Sequence, residues 1–187
     1  MHTLFAGLPV TIIRPGTIVG HTKTGAANAT DYAPSIMAAF ARMGSYVNSE
    51  GFFDLNPVDM VARASMLLSF QPVSQNPRVF HLVDACKASY RQVGQAAAGN
   101  AGSELSFAEF KEEMNRRLGS GAVANGAESL RPFVSFFETD SFFSVNSTHR
   151  SEATVASLKQ LGFDWRCEPV ACVKGIVSFL EHQSSEA

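Results

Sequence analysis

Charge is scarce in this chain. Charged residues make up 17% of its 187 positions, against about a quarter in an average soluble domain. The 15 basic and 17 acidic residues leave a net charge of -2. No run of Lys or Arg forms the electrostatic footprint of a nucleic-acid-binding protein or a polybasic membrane patch. Long hydrophobic runs are also lacking, since every apolar stretch falls far short of the roughly 20 residues a membrane span needs. Met1 to Gly7 holds no basic segment followed by an apolar core, so no signal peptide is expected. Cysteine is limited to Cys86, Cys167 and Cys172. An odd count, irregular spacing and no CxxC argue against both a disulfide framework and a zinc site. A reducing compartment, the cytoplasm, fits such usage.

What is present is a folding sequence. Apolar residues reach 45%, enough to bury a core, and the length suits one domain or one half of a larger one. Leu8-Pro9-Val10-Thr11-Ile12-Ile13 is an apolar, β-branched run ended by Arg14-Pro15-Gly16. It reads as a parallel strand buried on both faces, running into a turn. Gly51 to Leu55 and Val79 to Val83 read as two further strands, too few for a complete doubly wound sheet.

Helical periodicity fills the intervals. Ile36, Ala39, Phe40 and Met43 share one face, with Pro34 in the first turn and Gly44 as the stop. Pro57-Val58-Asp59 opens a second helix with Met60, Ala64, Leu67 and Leu68 inward. Tyr90, Val93 and Ala97 mark a third, followed by a loop from Gly99 to Ser103. Ser106 and Glu109 form a capping box ahead of Phe107, Phe110, Met114 and Leu118. Gly119 to Ala127 is a small-residue loop. A helix from about Ser151 carries Val155, Leu158 and Leu161 up to Gly162. The last helix begins at Pro169 and carries Val173, Ile176, Val177 and Leu180, with a tail expected to fray after Glu181.

The most specific segment is Gly7 to Asp31, GLPVTIIRPGTIVGHTKTGAANATD, followed by Gly51 to Ala64, GFFDLNPVDMVARA, and Val79 to Val83, VFHLV. In that order and spacing they resemble the thioester reductase family of extended short-chain dehydrogenases. Its members terminate nonribosomal peptide and polyketide synthetases and occur in carboxylic acid and aminoadipate reductases. The likeness covers the first half of the chain well. It continues loosely through Ser144 to Thr148 and the closing helix.

The resemblance implies an α/β fold. Residues 1–86 would be the C-terminal part of a Rossmann-like NAD(P)-binding domain, and residues 87–187 a mainly helical substrate-binding region. It implies NADPH-dependent reduction of an acyl thioester, carried on a phosphopantetheine carrier domain, to an aldehyde or alcohol. Pro15, Gly16, Thr17 and Ile18 would line the nicotinamide, whereas without the resemblance they are a turn that ends a strand. His21, Gly25 and Asn28 would lie on the substrate side. His21 either touches substrate or orders its loop, and Gly25, Asn28 and Asp31 shape that same loop. Asp31 is equally an ordinary helix-start residue, and Asp59 reads as a first-turn acid favoured by the helix dipole. His81 reads as a partly buried strand residue. Phe133, Phe136, Phe137, Phe142 and Phe143 are core or the lining of an acyl channel. No group of His, Cys or carboxylates stands at metal-ligand spacing.

The family's chemistry also needs a glycine-rich strand-to-helix turn for the pyrophosphate and a Tyr-x-x-x-Lys pair. In that pair the ammonium lowers the phenol pKa so that the phenol can protonate the substrate. No such turn follows a strand here, since Gly94 to Gly102 comes after a helical pattern. Four residues beyond Tyr32, Tyr46 and Tyr90 stand Ile36, Glu50 and Gly94. No residue is therefore assigned as catalytic. The expectation is a partial NADP site, completed by a missing N-terminal half of the same domain. A non-catalytic acyl- or carrier-binding module, and a shortened sugar epimerase or dehydratase, are the competing readings.

Overall fold

Thr11, Ile12 and Ile13 are residues that suit a pleated surface, and they open β1, Thr11–Pro15. The computed structural model describes residues 10–71, 78–119 and 150–185. Leu8, Pro9, the 120–127 loop, Phe133 to Phe143 and Ser144 to Thr148 lie outside the described residues.

β1 runs two residues further than the sequence predicts and takes in Arg14 and Pro15. It pairs in parallel with β5, Arg78–Leu82, in a register that sets Thr11 opposite Arg78 and Pro15 opposite Leu82. Burial on both faces is not observed: Thr11 to Ile13 are half-buried, and Arg14 and Pro15 are exposed. The reason is local. Among the described residues β5 is its only strand partner, and α2, Val58–Ser69, packs on it.

The sequence predicts three strands, whereas seven occur among the described residues. The additional ones are β2, Ile18–Val19, β3, Ser45–Val47, β6, Cys86–Ser89, and β7, Ser103–Leu105. Each is too short for alternation to register as a pattern. With β4, Phe52–Pro57, they form small sheets: β2 parallel to β4, β4 antiparallel to β6, and β3 parallel to β7. The chain is thus an α/β fold with small parallel and mixed sheets.

α1, Tyr32–Met43, carries the core. Ile36, Met37, Ala39 and Phe40 are at most 1% exposed, because α3 (Tyr90–Ala98), α6 (Pro169–Ser185) and β3 all pack against it. Gly44 ends α1 with φ 60° and donates its N–H to Ala41 O, the left-handed stop expected of it. In α2, Met60, Ala64 and Leu68 point inward. α4, Phe107–Gly119, starts on the Ser106–Glu109 box, and α3 starts on a second box, Ser89 with Gln92. α5 is Glu152–Gln160.

Two expectations need correction. α6 continues to Ser185 instead of fraying after Glu181, since no Gly or Pro interrupts it there. Cys86 and Cys167 are joined as a disulfide across 81 positions, with Cα atoms 5.2 Å apart. Irregular spacing carries no information about such a contact, because the fold, not the local chain, brings β6 beside the segment leading into α6.

Elements before and after residue 86 pack against each other. β3 pairs with β7, and α1 packs on α3 and α6, across that point. The buried Trp165 indole donates to Val83 O at 2.8 Å, another link across it. No described helix is long and apolar enough to cross a membrane.

Candidate functional site

The carboxyl ends of β1 and β5 are held together by a bond from Gly16 N–H to Leu82 O, 3.0 Å. Gly16 leaves room here for two polar side chains. A Cβ there would overlap the Asp54 carboxylate and approach Asn56 Nδ2 to 2.8 Å. Asn56, fully buried near the end of β4, braces both exits. Its backbone N–H donates to Thr17 O at 2.9 Å. Its side-chain amide reaches Thr17 O at 3.4 Å, and its Oδ1 accepts from Ala85 N–H at 3.3 Å.

Asp54 accepts the backbone N–H of Asp84 at 2.6 Å. Asp84 adopts a left-handed φ of 60°, an uncommon conformation for a side-chain-bearing residue. Burial pushes the Asp54 carboxyl above its ordinary range, against the lowering effect of the bonds from Asn56 and from Asp84 N–H. Lys87 sits 3.8 Å from the Asp84 carboxylate, its ammonium over the Phe52 ring. Neither Asp54 nor Asn56 stands out in the sequence. The available signal is FDLN ahead of PVD, which places alternate side chains of β4 toward the exits of β1 and β5.

Above this bracing, Pro15 and Thr17 are exposed, Gly16 is half-buried and Ile18 is 40% exposed. They form a ledge with an apolar lip. The chain then folds back over 20–28. His21 N–H donates to Ala26 O, and Gly25 N–H to His21 O. Lys23 N–H donates to His21 Nδ1 at 3.1 Å, so the neutral ring carries its proton on Nε2.

Thr22 locks this loop to α2. Its N–H and hydroxyl both donate to the Asp59 carboxylate, at 3.0 and 2.7 Å. Burial pulls that carboxyl upward, but these bonds, its own N–H and the nearby His21 outweigh burial and hold it below its ordinary value. Asp59 is thus a first-turn acid, as predicted, and also the loop's anchor.

Gly25, with φ 69°, lies against the backbone of Gly175 on α6, where a Cβ would collide with Gly175 O. Its work in the structure is close packing. Asn28 accepts from Thr30 N–H and hydroxyl and donates to Asp31, so it shapes the approach to α1. Asp31 precedes α1, but its side chain makes no bond to the helix's N–H groups. His81 is half-buried, and its N–H donates to Thr154 Oγ1. Tyr32 and Tyr90 place their hydroxyls 3.5 Å apart, and burial pushes both phenols up. That is opposite to the lowering a neighbouring Lys would give.

A family profile described as "Male sterility protein", an NAD-binding family, matches residues 1–65. Glycine betaine reductase ATRR of Emericella nidulans is 36% identical over 88 residues, covering 46% of this chain and 7% of that protein. Aldehyde reductase lnaA of Aspergillus flavus is 30% identical over 136 residues, 67% of this chain and 12% of that one. The solved thiolation-reductase di-domain of an archaeal nonribosomal peptide synthetase superposes with a TM-score of 0.70 at 25% identity. That match covers 97% of this chain and 38% of the di-domain. The chain spans a small fraction of these curated relatives and well under half of that solved chain. Together, the aldehyde reductase match over two thirds of this chain, the family profile and the shared fold place the chain in the thioester reductase family, with a Rossmann-like fold.

Proposed function

We propose that the chain forms the nicotinamide and acyl side of an NADPH-dependent thioester reductase site. The observation that carries this reading is the ledge Pro15 to Ile18 at the carboxyl ends of two parallel strands, where open α/β sheets bind their ligands. The cofactor supplies a hydride. The ledge fits the uncharged nicotinamide end: Ile18 offers an apolar surface, and Gly16 lets a flat ring approach the backbone. Among the described residues no glycine-rich strand-to-helix turn stands beside it to receive a pyrophosphate. The reading is therefore a partial NADP site, with the phosphate-binding turn and the proton donor contributed by another part of the domain.

Residues 1–86 contribute the nicotinamide side and 87–187 the acyl side in this proposal. The substrate is an acyl thioester on a phosphopantetheine carrier, in a cytoplasmic setting. Support for the carrier comes from the likeness to a di-domain that contains a thiolation unit. His21 can offer a proton-bearing nitrogen, Nε2, to a substrate carbonyl, while Gly25 and Asn28 fix that loop's path.

The test is twofold. Titrating the isotope-labelled chain with reduced nicotinamide mononucleotide should shift the amide resonances of Gly16, Thr17 and Ile18 first. The chain alone, given NADPH and an acyl-phosphopantetheine thioester, should not consume NADPH above the no-protein rate. Resonance shifts confined to another face would remove the cofactor assignment. Turnover that disappears in Pro15→Ala or His21→Ala would show a complete site and overturn the partial one.

A further inference from the structure

Three sulfur atoms converge where β6 meets α6. Cys86 opens β6, Cys167 lies just before α6, and Cys172 is in the first turn of α6. Their Sγ atoms all lie within 4.8 Å of one another. Cys86 is 1% and Cys172 5% exposed, and Cys167 is half-buried. The backbone fixes each one. Cys167 N–H donates to Ala85 O at 3.0 Å, Cys172 N–H to Glu168 O at 3.1 Å, and Cys86 sits in register with Leu55 of β4. Two of the sulfurs are bonded to each other and the third is a free thiol.

A structural disulfide needs no third buried sulfur beside it. A trithiolate metal site does, and its demands match the arrangement. At metal–sulfur distances of about 2.3 Å, tetrahedral ligands lie roughly 3.8 Å apart, so three sulfurs already within 4.8 Å need only small side-chain adjustments.

We propose that in the reduced protein Cys86, Cys167 and Cys172 together bind one soft, thiophilic metal ion of the zinc or cadmium class. A dithiol reductant opens the Cys86–Cys167 bond, giving two electrons and two protons and becoming a disulfide itself. Uptake of the divalent ion then releases three protons, one from each thiol, and leaves a fourth position for water. The bound ion ties β6 to α6 in place of the disulfide. Because Gly175, one turn beyond Cys172, seats Gly25, the ion also steadies the loop that carries His21. The site uses none of the residues on which the reductase proposal rests.

The experiment uses the full chain reduced with dithiothreitol and desalted without oxygen. Cadmium is added while sulfur-to-metal charge-transfer absorbance and thermal unfolding are followed. One ion per chain should saturate the absorbance and raise the melting temperature of the reduced chain but not of the oxidised one. Cys172→Ser and Cys86→Ser should each weaken binding by roughly tenfold or more, the scale on which disturbing a metal site tells. Cys172→Ser keeps the disulfide pair, so its oxidised form reports whether the variant folds. Equal cadmium affinity in wild type and Cys172→Ser overturns the proposal. So does a Cys86–Cys167 bond that resists dithiothreitol in the folded chain, leaving a single countable thiol.

Discussion

Asp54 and Asp59 are carboxylates close to the same ledge, and the fold pushes them in opposite directions. Asp59 is lowered, so its contribution is present above the unfolded carboxylate pKa and is lost as pH falls through the folded value. Asp54 is raised, chiefly by burial. Between its unfolded and folded values the native state binds more protons than the unfolded state. Stability therefore rises as pH drops through the folded value and levels off below the unfolded one. The two effects partly cancel in the wild type, and a substitution separates them. Asp54→Asn keeps an oxygen to accept the Asp84 N–H and removes the charge. The variant should melt at or above the wild-type temperature at neutral pH, and the difference should shrink on acidification. Thermal unfolding at a series of pH values checks this; a constant offset would mean that Asp54 is not the titrating group.

On the scale of elements, packing overrules propensity at Gly94. A glycine inside a helix costs about 1 kcal/mol relative to alanine, so propensity alone predicts that Gly94→Ala stabilises α3. The structure reverses the sign. A Cβ at Gly94 would overlap the ring of Tyr46, which is 3% exposed on β3. Overpacking of a closed core costs about 1–3 kcal/mol, which exceeds the helical gain. Gly94→Ala should therefore lower stability in urea denaturation. In a Tyr46→Ala background, where the ring is gone, the same change should become neutral or stabilising. A loss of equal size in both backgrounds would assign the effect to something other than the ring. The capping boxes, in contrast, are local devices: Ser106 with Glu109 is readable three positions apart, as is Ser89 with Gln92 once β6 is known to end there.

At the scale of the whole molecule, β1 has the consequence. Among the described residues it is paired along one edge only, and Thr11 to Ile13 are half-buried. A strand edge with unpaired N–H and C=O groups is a template for another chain. Size-exclusion chromatography over a range of protein concentrations should show concentration-dependent association. A monomer that persists throughout would indicate that this edge is covered.

The sequence by itself determined the α/β class, the six helices seen among the described residues, the stops at Gly44 and Gly162, the capping box at Ser106, and the family, through RPG, GHTKTG and PVDMVARA. These are legible because helical periodicity, caps and motifs are properties of neighbouring residues. The tertiary structure alone decided that β1 pairs along one edge among the described residues, that Asn56 and Asp54 brace the ledge, that Thr22 hangs on Asp59, and that Gly25 meets Gly175. It also decided that Cys86, Cys167 and Cys172 share one spot. Each of these depends on contacts between positions far apart in the chain. The short strands β2, β3, β6 and β7 lie between the two cases, because pairing fixes them and their own few residues hold too little pattern to announce it.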